Sequence, residues 1–274
     1  MTRSRTTPIL LNFLTYAFAF ILFFPILWMV MTSFKLEADA VSIPPKFLFT
    51  PTLDNWRIAL LEEPYLEHLV DTLIITFFTT IVALILGVTA AYSMAFYPTK
   101  RTNSTLMWVI STRMLPPVGV ILPIYIIFRD LGWLDTHLGL IVIYVAVNLP
   151  LVIWMMRSFL ADLPYEILEA ARVDGVNYWQ EMRLIVLPLI LPGLMATLLL
   201  TVIFVWNEFF FAFNLTAKDA APLSVYISSF KTSEGLFWAK MSAAATATVL
   251  PIVIAGWFAQ RHLVLGLTLG AVKG

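Results

Sequence analysis

Residues 162–193 read DLPYEILEAARVDGVNYWQEMRLIVLPLILPG and form a polar, charged segment inside a very apolar chain. A helix is expected with Pro164 in its first turn, where proline is tolerated, and it should run until Gly175 lets the chain turn. A second short helix is expected over residues 178–186. Small side chains would let another protein approach closely, and charged ones would orient it. The residues of these two kinds are Glu169, Ala170, Ala171, Arg172, Asp174 and Gly175. The segment therefore predicts a docking element.

The spacing of residues in this segment resembles the EAA loop of bacterial ABC-importer permeases. The matching positions are Glu169, Ala170, Ala171, Asp174, Gly175, Ile185, Leu187, Pro188 and Pro192. Within that family the segment is most similar to carbohydrate permeases of the maltose-permease G-subunit branch, although Met182 stands where the family often has Phe. The resemblance implies a coupling loop, about residues 157–187, whose helix sits in a cleft of a separate ATPase. It assigns this ATPase contact to Glu169, Ala170, Ala171, Asp174, Gly175, Leu187 and Pro188.

The composition indicates a chain that lies in lipid along most of its length. Hydrophobic residues make up 60% of the sequence and charged residues 12%, and the mean hydropathy is +0.88. These values lie well outside those of soluble domains. The formal net charge of zero gives no basic surface for nucleic acid, and the absence of cysteine removes disulfides and thiol chemistry. Three scattered histidines show no metal-ligand spacing, so no metal site is expected.

Six apolar stretches are long enough to cross a bilayer, which takes about 20 helical residues. They cover about residues 10–33, 69–96, 106–128, 138–156, 187–213 and 241–258. The third stretch contains Pro116, Pro117 and Pro123, which predict a bent or broken helix. The sequence thus predicts an all-α integral membrane protein with six transmembrane helices in a single domain over residues 1–274, the architecture of a type I ABC-importer permease.

The distribution of arginine predicts that both termini are cytoplasmic. With the N-terminus inside, seven arginines fall on the cytoplasmic side and only Arg57 and Arg129 fall outside, as the positive-inside rule favours. The seven are Arg3, Arg5, Arg101, Arg157, Arg172, Arg183 and Arg261. Lysine weakens the bias, but the same orientation places the coupling loop on the side where ATP is found. We expect a multi-pass protein of the bacterial inner membrane.

The C-terminal tail, about residues 260–274, carries a second resemblance. Gly266-Leu267-Thr268 followed by 270–274, GAVKG, is similar to the C-terminus of carbohydrate permeases, which lies near the ATPase pair. The alternative is a loose tail of small residues. Residues 112–117, TRMLPP, and the tail are most similar to mannitol and sorbitol permeases, although small glycosides remain open as substrates.

Motifs that would indicate catalysis are missing from the sequence. There is no G-x-x-x-x-G-K-[ST], so ATP hydrolysis is expected on another chain, which would bind the ATP and Mg²⁺. Neither H-E-x-x-H nor G-x-S-x-G occurs, which argues against an intramembrane hydrolase. The alternative class is a secondary transporter driven by an ion gradient. That class favours repeated halves and intramembrane acids, whereas this chain shows no internal repeat and one mid-span acid, Glu208.

Polar residues within the spans are the candidates for a substrate path, because they are costly in hydrocarbon and should face a cavity or a partner helix. They are Arg113, Asn148, Asn207 and Glu208, with Trp206 beside them as a stacking surface for a sugar ring. Each has a structural alternative. Arg113 could bind carbonyls freed by the prolines or contact a companion permease, and Asn148 could make an interhelical hydrogen bond.

The family resemblance also implies partners. One such chain forms half a pore, so a second and non-identical permease is expected, together with two ATPase subunits. A solute-binding protein outside the cytoplasm would deliver the carbohydrate, and membrane lipid would surround the spans.

Overall fold

The computed structural model describes residues 6–232 and 235–269, and most of these are helical. The helices are α1 Thr6–Ser33, α2 Glu37–Ala40, α3 Asp54–Arg57, α4 Tyr65–Phe96, α5 Thr102–Ser111, α6 Pro117–Leu131, α7 His137–Ala161, α8 Tyr165–Val173, α9 Tyr178–Gln180, α10 Leu187–Leu189, α11 Leu191–Trp206, α12 Phe210–Leu215, α13 Leu223–Ser229 and α14 Trp238–Leu269. Single turns of wider π-helix span Ile58–Glu62 and Glu181–Val186, and a 3₁₀ turn spans Thr112–Met114. Strands β1 Lys231–Thr232 and β2 Gly235–Leu236 form an antiparallel hairpin in which Lys231 faces Leu236.

Within the described residues, four helices are long and apolar enough to span a membrane singly. They contain Leu11–Ser33, Tyr65–Phe96, His137–Ala161 and Trp238–Trp257. Two further spans are bent pairs: Thr102–Met114 with Pro117–Leu131, at 91°, and Tyr178–Leu189 with Leu191–Trp206, at 80°. Counting each pair once brings the number to six. The all-α membrane architecture is confirmed, and so is the break in the third span, where Pro116 and Pro117 lack amide donors.

The fifth span differs from its predicted extent of residues 187–213. The straight helix α11 ends at Trp206, and α12 begins separately at Phe210. The carboxylate of Glu208 explains the break, because it accepts hydrogen bonds from the backbone N–H groups of Phe211 at 3.0 Å and Ala212 at 3.2 Å. These bonds satisfy the donors at the start of a new helix and so favour ending the old one.

The first of two compact units consists of Met1–Leu66 and Tyr226–Leu250. The buried amide of Asn55 donates to the carbonyls of Ser33 and Lys35, at 3.0 and 2.7 Å, and so satisfies acceptors at the end of α1. The carboxylate of Glu37 accepts from the N–H groups of Ala239 and Lys240, both at 3.0 Å, at the start of α14. Side chains of α3 and α2 thus complete the end of α1 and the start of α14, respectively.

The second unit consists of Glu67–Val225 and Pro251–Gly274. One of its apolar cores joins α4, α7, α8 and the chain before α11, and includes Leu84, Tyr92, Val152, Met156, Leu160, Leu168, Val186 and Ile190. Small residues bring helices together here. A Cβ on Gly87 would lie 2.4 Å from the Val152 side chain, and one on Gly193 would lie 2.3 Å from the Phe159 ring. The prediction of a single domain over 1–274 stays a prediction.

Candidate functional site

The coupling loop has the predicted form of a helix, a glycine turn and a second helical stretch. Helix α8 begins at Tyr165 with Pro164 as the preceding, extended residue, and it ends at Val173. Gly175 has φ +84°, a left-handed conformation that side chains disfavour. Its N–H donates to the carbonyl of Arg172 at 3.1 Å, which closes the turn. A helical stretch then runs over Tyr178–Leu189, somewhat beyond the predicted residues 178–186.

Helix α8 has one buried face and one open face. Leu168 is 1% exposed and belongs to the apolar core, and Ala171 is also buried. Glu169, Ala170 and Asp174 are exposed. The open face is accessible to another protein, whereas Ala171 packs within the chain, and the contact with an ATPase stays a prediction. Further along the loop, Gly175 and Pro188 are exposed and Leu187 is half-buried.

Arg172 does not face outward, contrary to the expectation that it orients a partner. Its guanidinium donates two hydrogen bonds to the fully buried carboxylate of Glu181, at 2.8 and 3.0 Å. It also donates to the Tyr165 hydroxyl at 3.2 Å and lies 5.4 Å from the Tyr97 ring centre. The hydrogen bonds to Glu181 raise the pKa of Arg172. The hydroxyl of Tyr92, in α4, donates to the same carboxylate.

We refer to Tyr92, Arg172 and Glu181 as the buried ion-pair cluster. It joins α8, the stretch after the glycine turn and the transmembrane helix α4. Sequence reasoning missed Glu181 and Tyr92. For Glu181 the available signal was its position nine residues after Arg172, across a predicted turn. No such signal existed for Tyr92, because it lies 89 positions from Glu181.

An exposed aromatic surface follows the glycine turn. Asn177 starts it with a capping box, accepting from the N–H of Gln180 while its own N–H donates to the Gln180 side chain. Tyr178 is 65% exposed and Trp179 is 81% exposed. With Asn177, Gln180, Arg183 and Leu184 they line an open cavity of about 520 Å³. This cavity adjoins the open face in sequence and extends the area available to a partner.

Arg113 lies in the 3₁₀ turn at the bend of the third span. The proposed bonds to freed carbonyls are not seen among the described residues. Its guanidinium instead lies 5.1 Å from the ring centre of Phe204 in α11, a cation–π contact. The structure therefore supports a packing role for Arg113 at the bend, and its role in a substrate path stays a prediction.

Asn148 is buried in α7, and its amide donates to the carbonyl of Tyr144 in the same helix at 2.8 Å. The expected interhelical hydrogen bond is thus replaced by one within the helix. Its Oδ1 has no hydrogen-bond partner among the described residues. An acceptor left unsatisfied in a buried place is costly, so this atom is available to a further donor.

Trp206, Asn207 and Glu208 lie at the break between α11 and α12. Trp206 is buried and borders a cavity of about 330 Å³ lined mainly by aliphatic side chains. The amide of Asn207 donates to the carbonyl of Ile203 at 2.8 Å, and Glu208 starts α12 as described above. Of the five predicted path residues, Trp206 borders this cavity and the other four do not.

Asp135 joins two loops of the second unit that sequence reasoning did not connect. Its carboxylate accepts from the backbone N–H groups of four consecutive residues, at 2.9 to 3.2 Å. The four are Ala217, Lys218, Asp219 and Ala220. Burial acts to raise the pKa of Asp135, but the backbone hydrogen bonds outweigh it and hold that pKa below its usual value.

Comparison with known proteins gives a consistent family. A family model described as "Binding-protein-dependent transport system inner membrane component" matches residues 83–267. The probable ABC transporter permease protein y4oR of Sinorhizobium fredii is 36% identical over 98% of each chain. The trehalose transport system permease protein SugB of Mycobacterium tuberculosis is 35% identical over 91% of this chain and 92% of its own. The trehalose/maltose permease protein MalG of Thermococcus litoralis is 32% identical over 93% of each.

Solved structures share the fold. A chain of a bacterial ABC transporter involved in the import of the acidic polysaccharide alginate superposes with a TM-score of 0.77. The two are 23% identical, over 95% of this chain and 99% of that one. A chain from a crystal structure of a bacterial alginate ABC transporter in complex with alginate pentasaccharide-bound periplasmic protein gives a TM-score of 0.69 at 15% identity, over 94% and 96% of the two chains.

Proposed function

This chain belongs to the binding-protein-dependent transport system inner membrane components, and we propose that it forms one half of the translocation pathway of an ATP-driven carbohydrate importer. The observation that carries the proposal is the coupling loop. Its EAA-type residues Glu169, Ala170 and Asp174 are exposed on a helix whose other face is packed into the transmembrane core. The named sugar permeases SugB and MalG match more than nine-tenths of the chain, which supports carbohydrate as the cargo.

The proposed assembly contains a second, non-identical permease, two copies of an ATPase and an extracytoplasmic solute-binding protein. ATP and Mg²⁺ would be bound by the ATPase, and this chain would hold no cofactor. A pocket built from two chains leaves only part of its lining on each, and the buried Oδ1 of Asn148, which has no hydrogen-bond partner among the described residues, supports such a divided pathway. The alginate transporter solved with a loaded periplasmic protein supports a binding-protein partner.

Both termini are proposed to be cytoplasmic. The arginine distribution supports this orientation. This orientation also puts the coupling loop and the tail on the cytoplasmic side of the membrane, and the loops around Asp135 on the opposite side. The predicted tail, residues 260–274, lies partly in α14, which continues to Leu269, while residues 270–274 lie outside the described part of the chain.

A small glycoside is the proposed cargo class. The curated relatives include permeases named for trehalose, diacetylchitobiose, sulfoquinovosyl glycerol and melibiose/raffinose/stachyose, most of which are glycosides. The resemblance of residues 112–117 to mannitol and sorbitol permeases makes a polyol the alternative cargo. Both classes carry many hydroxyl groups, which can donate to the unsatisfied Oδ1 of Asn148, whereas the ring of Trp206 suits the apolar face of a sugar ring.

The experiment that tests this function is purification of the complex through a tag on this chain. We expect an ATPase and a second permease to co-purify, and the binding protein encoded with them to bind a glycoside by calorimetry. Polyol binding would support carbohydrate import but exclude the glycoside class. Isolation of the chain as a complete transporter, without an ATPase, would instead favour the ion-gradient alternative.

A further inference from the structure

A short loop after α1, residues 43–48, presents large apolar side chains that the chain itself leaves uncovered. Its sequence is IPPKFL. Ile43 is 96% exposed, Leu48 is 94% exposed and Phe47 is 61% exposed. Large apolar side chains exposed together in one short loop indicate a binding surface for protein or membrane. Either protein or lipid could therefore cover the 43–48 loop.

The 43–48 loop is held against the side of α1. The edge of the Phe47 ring packs on the Trp28 ring, with centres 5.2 Å apart. Lys35 is 1% exposed, and its ammonium donates to the carbonyl of Lys46 at 2.7 Å. The same ammonium lies 4.0 Å from the centre of the Trp28 ring. The loop is therefore folded back along the helix rather than extended beyond its end.

The contact with Trp28 sets the depth of the loop. Trp28 belongs to the apolar span Leu11–Ser33 and precedes the end of that span by five residues. At about 1.5 Å of rise per residue, Trp28 lies roughly 7.5 Å inside the end of the helix. Aromatic rings at this depth are typical of the boundary between headgroups and hydrocarbon. Phe47 reaches the same level.

The surroundings of the loop also fit lipid. The most apolar stretch of α1 has none of its residues buried within the chain, so the exposed surface of the loop continues an exposed membrane-spanning surface. The charged group of Lys46 pairs with Asp39. The long stem of lysine lets its charge stay at the polar side of the boundary while apolar neighbours lie deeper.

We propose that the 43–48 loop inserts into the bilayer interface beside the end of α1, with Ile43, Phe47 and Leu48 in contact with lipid. Lys35 is the positioning residue that holds the loop at this depth. The loop thereby serves as a second, interfacial anchor for the first span.

The absence of cysteine from this chain simplifies a direct test, because each introduced cysteine is the only one in the chain, and cysteines of the partner subunits are replaced by serine. Ile43→Cys and Leu48→Cys are each labelled with a nitroxide in the assembled complex. The complex is placed in nanodiscs of phosphatidylethanolamine and phosphatidylglycerol. Electron paramagnetic resonance power saturation then compares access of oxygen, which concentrates in lipid, with access of a water-soluble nickel chelate. Glu62→Cys is the matched control, since Glu62 is an exposed charged residue of the same unit.

We expect the oxygen-to-nickel accessibility ratio at positions 43 and 48 to exceed that at position 62 several-fold. Equal ratios at all three positions would show that the loop lies in water and would overturn the proposal. Low access of both reagents at 43 and 48 would show that a protein covers the loop, and this result would overturn it as well. Retained carbohydrate uptake by the labelled complex in proteoliposomes shows that the labels have not disturbed the assembly.

Discussion

Gly175 is the residue on which the direction of the coupling loop depends. Its φ of +84° is open to glycine and disfavoured for residues with a Cβ, while a Cβ built there meets nothing within 4 Å of the chain. The requirement for glycine is therefore conformational and not a matter of space. Sequence reasoning could predict it, because a glycine that ends a helix commonly takes this conformation.

Replacing Gly175 by Val should impair coupling to the ATPase. The strained backbone, costing about 1–3 kcal/mol, would redirect the loop. We expect carbohydrate uptake and substrate-stimulated ATP hydrolysis to fall in proteoliposomes, with membrane insertion unchanged. Gly175→Asn should retain more activity, because asparagine tolerates the left-handed region. Gly132→Val is the control, since Gly132 has φ +68° outside the loop. Normal coupling in Gly175→Val would contradict the assignment.

The buried ion-pair cluster should show strong coupling between its members. Arg172→Met leaves the buried carboxylate of Glu181 without its counterion, which costs about 3–5 kcal/mol. The double variant Arg172→Met/Glu181→Met removes both charges and should be more stable than Arg172→Met alone. Thermal melting of the purified complex measures the stability of each variant. Additive losses in the double variant would show that the two groups do not interact in the assembled protein.

Asp135 should make stability depend on pH. Because its folded pKa lies below the unfolded value of about 3.9, its stabilisation is present above pH 4 and is lost as pH falls through the folded pKa. Asp135→Asn keeps a residue suited to φ 55° but loses the charge. We expect the melting temperature of Asp135→Asn to lie below that of the wild-type protein at pH 7. The two melting temperatures should converge at the lowest pH. A difference in melting temperature that stays constant with pH would count against the hydrogen bonds to the Asp135 carboxylate.

The helices show where sequence patterns were sufficient and where they failed. Three prolines predicted the bend of the third span, since proline removes amide donors wherever it stands in a helix. The break after Trp206 was missed, because residues 191–213 are apolar almost throughout and the decisive bonds from Phe211 and Ala212 to Glu208 are a local capping effect. The contact of Arg113 with Phe204 also depended on a neighbour that a single sequence does not reveal.

Close packing of α11 on α7 should depend on Gly193. A Cβ there would lie 2.3 Å from the Phe159 ring, so the helices would have to separate. Gly193→Ala should destabilise the complex by about 1–3 kcal/mol, as overpacking of a filled core does. Gly119→Ala is the matched control in α6, because a Cβ there meets nothing within 4 Å. Equal melting temperatures for the two variants would show that the Phe159 ring moves aside without loss of stability.

At the scale of the whole molecule, composition and span length were sufficient for the fold class. The bilayer admits few solutions, because every backbone group must be satisfied within the segment. The coupling loop was recognisable since its residues are close in sequence. The substrate path could not be predicted from this sequence alone, because the proposed pathway is completed by a second chain.

The most direct test of the account is uptake of a labelled glycoside by proteoliposomes that contain the assembled complex and its binding protein. ATP is supplied only at the side of the coupling loop, and a protonophore dissipates the proton gradient. We expect accumulation that requires ATP and the binding protein and is unaffected by the protonophore. Uptake driven by an imposed ion gradient without ATP would contradict it.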